Sequence, residues 1–135
     1  MIDIPPPPDD RQPTIRVVAA PADTNAGGDI FGGWIMAQVD IAGSIAAYRM
    51  AKGRVVTVAV DSLQFHQPVF VGDLVSCYAD VVRVGRTSMT VQVEVYAERD
   101  RGGGAQHLKV TEARVTYVAV DERRRPRQVV TGGGD

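Results

Sequence analysis

The run Phe31-Gly32-Gly33-Trp34-Ile35-Met36-Ala37-Gln38-Val39-Asp40-Ile41-Ala42-Gly43-Ser44-Ile45-Ala46-Ala47-Tyr48-Arg49-Met50-Ala51-Lys52-Gly53 decides the architecture. Apolar residues stand at Trp34, Ile35, Met36, Ala37, Val39, Ile41, Ala42, Ile45, Ala46, Ala47 and Met50, in nearly every direction around a helical axis. A helix that is greasy all round is an enclosed one. Either a sheet wraps it, or a second chain covers the side the sheet leaves open. Gly53 suits the left-handed position after a helix end, and Arg49 and Lys52 suit the negative end of the dipole.

Between Trp34 and Tyr48 the polar side chains are Gln38, Asp40, Ser44 and Tyr48. Gln38 and Ser44 can be satisfied neutral, whereas Asp40 carries a charge. An ionised carboxylate buried without partners costs several kcal/mol, or takes up a proton. No Lys or Arg lies between Arg16 and Arg49, so no local ion pair offsets it. One reading puts Asp40 and Ser44 on a wet stripe at i and i+4. The other makes Asp40 an acid or base held in a shielded site.

Gly32 and Gly33 fall where the first helical N–H groups lack intrahelical partners. Glycine lets a ligand approach such groups closely, and the positive dipole end favours an oxyanion. Paired glycines also simply permit a turn or close packing. Gly32 and Asp40 are separated by about 12 Å along one helix, at about 1.5 Å per residue. Reacting groups must come within about 3 Å of each other's target. If both act on one carbonyl, they come from two copies of the chain.

Outward from the helix, Thr14 to Ala20 is a β-branched run expected as a first strand, and Pro21 to Gly28 is a loop rich in Asp, Asn and Gly. After Gly53 the pattern turns to strands: Val55 to Val60, Leu74 to Val84, Thr87 to Arg99 and His107 to Val120. Gly72-Asp73, Gly85-Arg86 and Arg101 to Gly104 supply the turns. In the third of these strands Met89, Val91, Val93 and Val95 alternate with Thr90, Gln92, Glu94 and Tyr96, the period-2 pattern of a half-solvated strand. Short connections make such strands antiparallel neighbours. One helix on an antiparallel sheet is an α+β layout.

The 135 residues amount to one domain. Valine occurs 22 times, against 3 Phe and 1 Trp, which favours strands. Pro5 to Pro8 mark residues 1–13 as an extended, flexible arm. The domain is expected over roughly 14–121, or as far as 130, with 122–135 a charged turn and flexible tail. A net charge of −1 gives no global preference for nucleic acid. Arg123, Arg124, Arg125 and Arg127 form only a modest cluster, flanked by Asp121 and Glu122, so no nucleic-acid partner is expected. Cys77 alone excludes an internal disulfide and suits a reducing compartment. No apolar run is long enough to span a membrane, and no secretory signal is visible, so a cytoplasmic location without membrane insertion is expected. His66 and His107 stand alone in strand-like contexts and read as structural.

The run from Pro21 through Asn25, Phe31-Gly32-Gly33 and Asp40 strongly resembles the opening of the hotdog-fold acyl-CoA thioesterases, specifically the YciA-like group. The resemblance continues through Gly53 to Ser62, Phe65, Pro68-Val69, Val71-Gly72-Asp73, Val84 to Ser88 and Thr116 to Asp121, so it covers about residues 14–127. It implies a hotdog fold, a curved antiparallel sheet wrapped around one long central helix. It implies a homodimer with sheets joined edge to edge, often a trimer of dimers. The implied reaction is thioester hydrolysis in lipid metabolism, with acyl-CoA as substrate at the subunit interface. No metal and no cofactor is expected, coenzyme A being part of substrate and product.

By the same resemblance Asp40 is catalytic, as general base or direct nucleophile. Asn25 helps place the thioester or water, the N–H of Gly32 with Gly33 beside it polarises the carbonyl, and Thr57 could orient the water. Gly85, Arg86, Thr87 and Ser88 look like the segment that holds coenzyme A, with Arg86 on a phosphate. The loop around Asn25 has no His, which counts against the dehydratases of this fold. An acyl-CoA binding or sensing protein without turnover is the alternative.

Overall fold

The computed structural model describes residues 11–100 and 102–129. Strand β1 (Ile15–Val18) leads through a single 3-10 turn at Pro21–Asp23 to helix α1 (Gly32–Ala51). Four strands follow: β2 (Val55–Phe65), β3 (Leu74–Val84), β4 (Ser88–Asp100) and β5 (Ala105–Ala119). The five strands form one antiparallel sheet in the order β1-β3-β4-β5-β2, so β2 lies beside β5 and not beside its sequence neighbour β3, as the short-connection rule would have it; the segment 66–73 carries the chain from one edge region to the other. Register shifts interrupt β2–β5, β3–β4 and β4–β5. Each bulge adds local twist, and together they curl the sheet around the helix. This is the α+β, hotdog-type layout expected from the sequence.

In burial, the alternation in β4 survives as far as Val95. Met89, Val91, Val93 and Val95 are buried, and their neighbours on the other face are half-exposed. Beyond Val95 the faces go on alternating, but Tyr96 on the outer face is buried along with Ala97 on the inner one. Tyr96 packs edge-on against Tyr78 of β3, centroids 5.8 Å apart. A period-2 reading cannot foresee this, since it is a side chain of the neighbouring strand that covers the outer face.

Helix α1 lays Ile35, Val39, Ala42, Gly43, Ala47 and Ala51 against the sheet. Its other side is uncovered: Met36, Ile41, Tyr48 and Met50 are each more than 40% exposed. The sheet of one chain thus wraps only half of the apolar helix. Edge strand β2 is open too, pairing with β5 on one side only and exposing Val56, Val58 and Val60.

The helix end differs from expectation. Lys52 takes the left-handed conformation (φ 55°, ψ 41°), not Gly53. Gly53 lies beside Arg127, whose guanidinium caps the helix by donating to Ala51 O; a Cβ at 53 would stand 2.7 Å from its Nη2 and displace that tip. The chain also does not leave the domain at residue 121. Asp121 Oδ1 accepts from the N–H groups of Arg123 and Arg125, closing the charged turn. Pro126 then bridges to Val120, and Val129 is buried in the core. Ordered packing therefore runs to 129, past the shorter of the two bounds and within the longer. Residues 130–135 of the expected tail and 1–10 of the expected arm lie outside the described residues. Arg11, within the described part of the arm, is paired with Asp80 at 2.6 Å.

One clamp holds the loop ahead of β3. Arg99 reaches the buried Asp73 with Nε (3.1 Å) and Nη2 (2.7 Å), and Nη2 also donates to Pro68 O. Asp73 further accepts from the N–H of Phe70. Such a bidentate pair is directional, and breaking one half would strand a buried charge. The clamped loop presents Val69 O to Ile30 N, and so fixes the approach to α1. The thiol of Cys77 is buried beneath the sheet, and burial pushes it up to about 12, as suits an inert core residue.

Among the described residues, the hydroxyl of Thr111 is buried without a hydrogen-bond partner. An unsatisfied buried polar group costs about 1–3 kcal/mol. Thr111→Val is therefore expected to stabilise the chain by about 1 kcal/mol, read as a higher urea midpoint at unchanged slope.

Candidate active site

The residues singled out from the sequence fall into groups at separate places. The first is the helix start. Asn25 organises its loop with its own side chain: Oδ1 accepts from the N–H of Gly27 (2.9 Å) and of Asp29 (3.1 Å). Its N–H donates to Asp29 O, and Gly28 turns back with φ +91°. Asn25 is thus an Asx-turn residue, with the amide Nδ2 as its remaining donor. The loop delivers the chain to Phe31, whose carbonyl accepts from the N–H of Trp34 and Ile35. Gly32 and Gly33 lie in the first turn, exposed, and their N–H groups find no acceptor among the described residues. The Phe65 ring flanks Gly32, and a Cβ on Gly33 would meet nothing within 4 Å. A hollow of about 330 Å³ opens here between Asn25, Gly32, Phe65 and Val69.

The second group surrounds Asp40. The strand pairing sets Thr57 of β2 directly beside Tyr117 of β5, and Tyr117 beside Met89 of β4. Thr57 donates its hydroxyl to Asp40 Oδ1 at 2.7 Å. Tyr117 donates to the same oxygen at 2.9 Å and lies 3.0 Å from the carbonyl oxygen of Asp40. The sequence reading brought Thr57 to this acid but gave Tyr117 no role. The one signal for it was Gly43, a glycine inside a helix. A Cβ at that position would stand 2.3 Å from the Tyr117 hydroxyl, so the missing side chain is the gap the phenol passes through. Burial raises the Tyr117 phenol far above its ordinary range. The hydrogen bond to Asp40 and that residue's charge act in the same direction, so the phenol stays a donor.

Asp40 itself is exposed in the single chain. The shielded carboxylate expected from the apolar helix is therefore not produced by this chain's own sheet. Asp40 lies on the uncovered side of α1, with Gly33, Met36, Ala37 and Ile41 as exposed neighbours along the same face. The helix is unbroken from Gly32 to Ala51, so the stretch from the free N–H groups to the carboxylate keeps its length of about 12 Å.

Gly85, Arg86, Thr87 and Ser88 form the β3–β4 turn. The N–H of Gly85 donates to Ser88 O at 2.7 Å. The carbonyls of Arg86 and Thr87 accept from Val129 and Ala119, which pins the turn to the C-terminal segment. The Arg86 side chain is exposed. The turn sits at the sheet end where Ser88 pairs with Val118, one residue beyond the rung that carries Tyr117. A wider cleft of about 860 Å³ begins one turn past Asp40 at Ser44 and Tyr48 and runs to Arg49, Arg54 and Arg127. It does not contain Asp40. The carboxylate lies between the two hollows. Among the described residues no group of three His, Cys, Asp or Glu side chains is arranged to hold a metal ion.

A curled antiparallel sheet around one helix, with an acid in mid-helix and free N–H groups at its start, defines a class of hydrolytic hotdog domains. The thioesterase superfamily model matches residues 27–103, and the chain belongs to that family. It is 51% identical over 114 residues to the acyl-CoA thioester hydrolase YciA of Escherichia coli, covering 84% of this chain and 86% of that one. A hexameric hotdog-fold thioesterase of Campylobacter jejuni superposes with a TM-score of 0.86 at 47% identity, over 90% of this chain and 92% of the other. An acyl-CoA hydrolase of Staphylococcus aureus, solved with butyryl coenzyme A and coenzyme A, gives 0.76 at 32% identity, over 84% and 68%.

The packing around Gly43 yields a stability test. Overpacking a core position typically costs about 1–3 kcal/mol. Gly43→Ala is expected to lose stability in that range. In a Tyr117→Phe background the loss should be smaller, because the closest contact is gone. Denaturant midpoints of the four proteins check this.

Proposed function

We propose that this chain is an acyl-CoA thioesterase, releasing a free carboxylic acid and coenzyme A from the thioester. The observation that carries the reading is Asp40: a carboxylate on an uncovered helix face, gripped at one oxygen by Thr57 and Tyr117. Membership of the thioesterase family and the named activity of its half-identical relatives support it.

The active unit is a homo-oligomer in which a second copy covers the open face of α1 and joins the free edge of β2. Exposed apolar side chains on both elements support this, since water-facing patches of that kind mark interfaces. Hexameric relatives favour three such dimers. The thioester carbonyl lies against the N–H groups of Gly32 and Gly33 of one copy, with Asn25 Nδ2 as a further donor. Asp40 of the other copy takes a proton from the attacking water, or attacks the carbonyl itself. Negative charge builds on the carbonyl oxygen, where fixed N–H groups in a water-poor site stabilise it. The C–S bond breaks, and the thiolate leaves as coenzyme A, taking up the proton. Either route consumes one water per thioester. The turn Gly85, Arg86, Thr87 and Ser88 contacts coenzyme A, with the exposed Arg86 offered to a phosphate.

Removing an acid–base group of this kind costs about 10²–10⁴ in rate. Asp40→Asn should lose turnover by that factor while keeping its fold and its affinity for coenzyme A. Thiol release from acetyl-, butyryl- and palmitoyl-CoA measures it. Full hydrolysis in the variant refutes the assignment, and no hydrolysis by the unaltered protein favours a binding protein.

A shared site makes a second prediction. Asp40→Asn and Gly32→Val damage opposite halves. Refolded together, they form mixed dimers in which one site carries both lesions and the other neither. With random pairing, recovery should approach about a quarter of full activity. Two variants that stay inactive when mixed would place both halves in one chain.

A further inference from the structure

A carboxylate used as a base or nucleophile has two oxygens that exchange by rotation about one bond. In this protein they are not equivalent. Both donors near Asp40 aim at Oδ1, Thr57 from β2 at 2.7 Å and Tyr117 from β5 at 2.9 Å. Oδ2 accepts no hydrogen bond among the described residues. Thr57 and Tyr117 are partners on one rung of the sheet, so the two donors hold a fixed spacing set by backbone pairing. Tyr117 has no exposure at all, and its ring is held on every side by the core. Its hydroxyl reaches the helix only because Gly43 has no side chain, and it also meets the Asp40 carbonyl at 3.0 Å. One phenol therefore contacts both the backbone and the carboxylate of the same residue. That ties the orientation of the side chain to the position of the helix.

We propose that Tyr117 is a positioning residue of this site: through the gap at Gly43 its hydroxyl joins that of Thr57 in fixing Oδ1 of Asp40, which leaves Oδ2 as the oxygen that reacts. The inference rests on the thioesterase reading and deepens it. Tyr117 does not touch the substrate. It acts by holding the carboxylate against rotation, and small misplacements of a reacting group are costly in rate. The buried ring fills the core with or without the hydroxyl, so packing and positioning can be separated by removing one atom.

The experiment is steady-state hydrolysis of butyryl-CoA by the full-length protein and by Tyr117→Phe, with thermal unfolding of both. The expected result is a fall in kcat of about tenfold to a hundredfold with KM within about twofold, and a folded variant. The double variant Gly43→Ala/Tyr117→Phe is the second test, since the added methyl occupies room that the hydroxyl leaves. It should fold and show the same loss of kcat. Unchanged kcat in either folded variant overturns the proposal. So does a rise in KM that matches the fall in kcat, or failure of both variants to fold, because each assigns the hydroxyl to packing. Asp40→Asn measured alongside separates the two levels. If it keeps full activity, the thioesterase site itself is misassigned; if it is inactive while Tyr117→Phe keeps its kcat, only the role of Tyr117 fails.

Discussion

Close approach between α1 and the sheet is the constraint on which the site depends. The inner face of the helix is built largely from Ala42, Gly43, Ala47 and Ala51, side chains too small to hold the backbone away from the strands. A glycine inside a helix costs about 1 kcal/mol relative to alanine. At position 43 that cost admits the tip of Tyr117, which in turn meets the carboxylate one turn earlier on the helix. A larger residue there would lift the helix or push the ring aside, and Asp40 would lose one of its two donors. Local propensity thus yields to a tertiary contact at the place where the chemistry is proposed.

The same helix is apolar on both sides, and one chain covers only one of them. Met36, Ile41 and Tyr48 on α1 and Val56, Val58 and Val60 on the neighbouring open edge remain in contact with water. Asp40 lies among them. Assembly of two copies across this region would remove apolar surface from water and lower the dielectric around the acid in the same event. The burial that drives association and the desolvation that strengthens charge stabilisation would then be one process. An acid exposed in the single chain would be shielded in such an assembly.

The helix start is held by devices that lie elsewhere in the sequence. The Asn25 turn shapes the loop before it, and the Asp73–Arg99 pair fixes the loop that receives Ile30. Neither contributes hydrophobic area of note. Each orients backbone groups, and free N–H groups are useful only if their direction is fixed. Asp73 and Arg99 are 26 residues apart, in a turn and near a strand end, and carry no local pattern that would announce the pairing.

Periodicity was enough to reveal one helix, the four longer strands and the α+β class, because side-chain alternation and turn residues act over a few positions. Asp40 was legible as an anomaly, a charge in an apolar run, and Thr57 through the motif that it shares with the family. The helix end was placed correctly, but its details were not: Lys52, not Gly53, takes the left-handed conformation, and Arg127, 76 positions after Ala51, caps the last turn, a contact no local rule contains. Tyr117 looked like one more strand residue, and the packing of 122–129 looked like a tail. Sequence by itself determined the elements, their antiparallel sense and the acid, but not that β2 pairs with β5 instead of with β3. Tertiary structure decided which oxygen of that acid is held, by which hydroxyls, and which face of the helix is left bare. Those outcomes depend on bulges, register and the depth at which the helix sits, and these are fixed only when distant segments pack together.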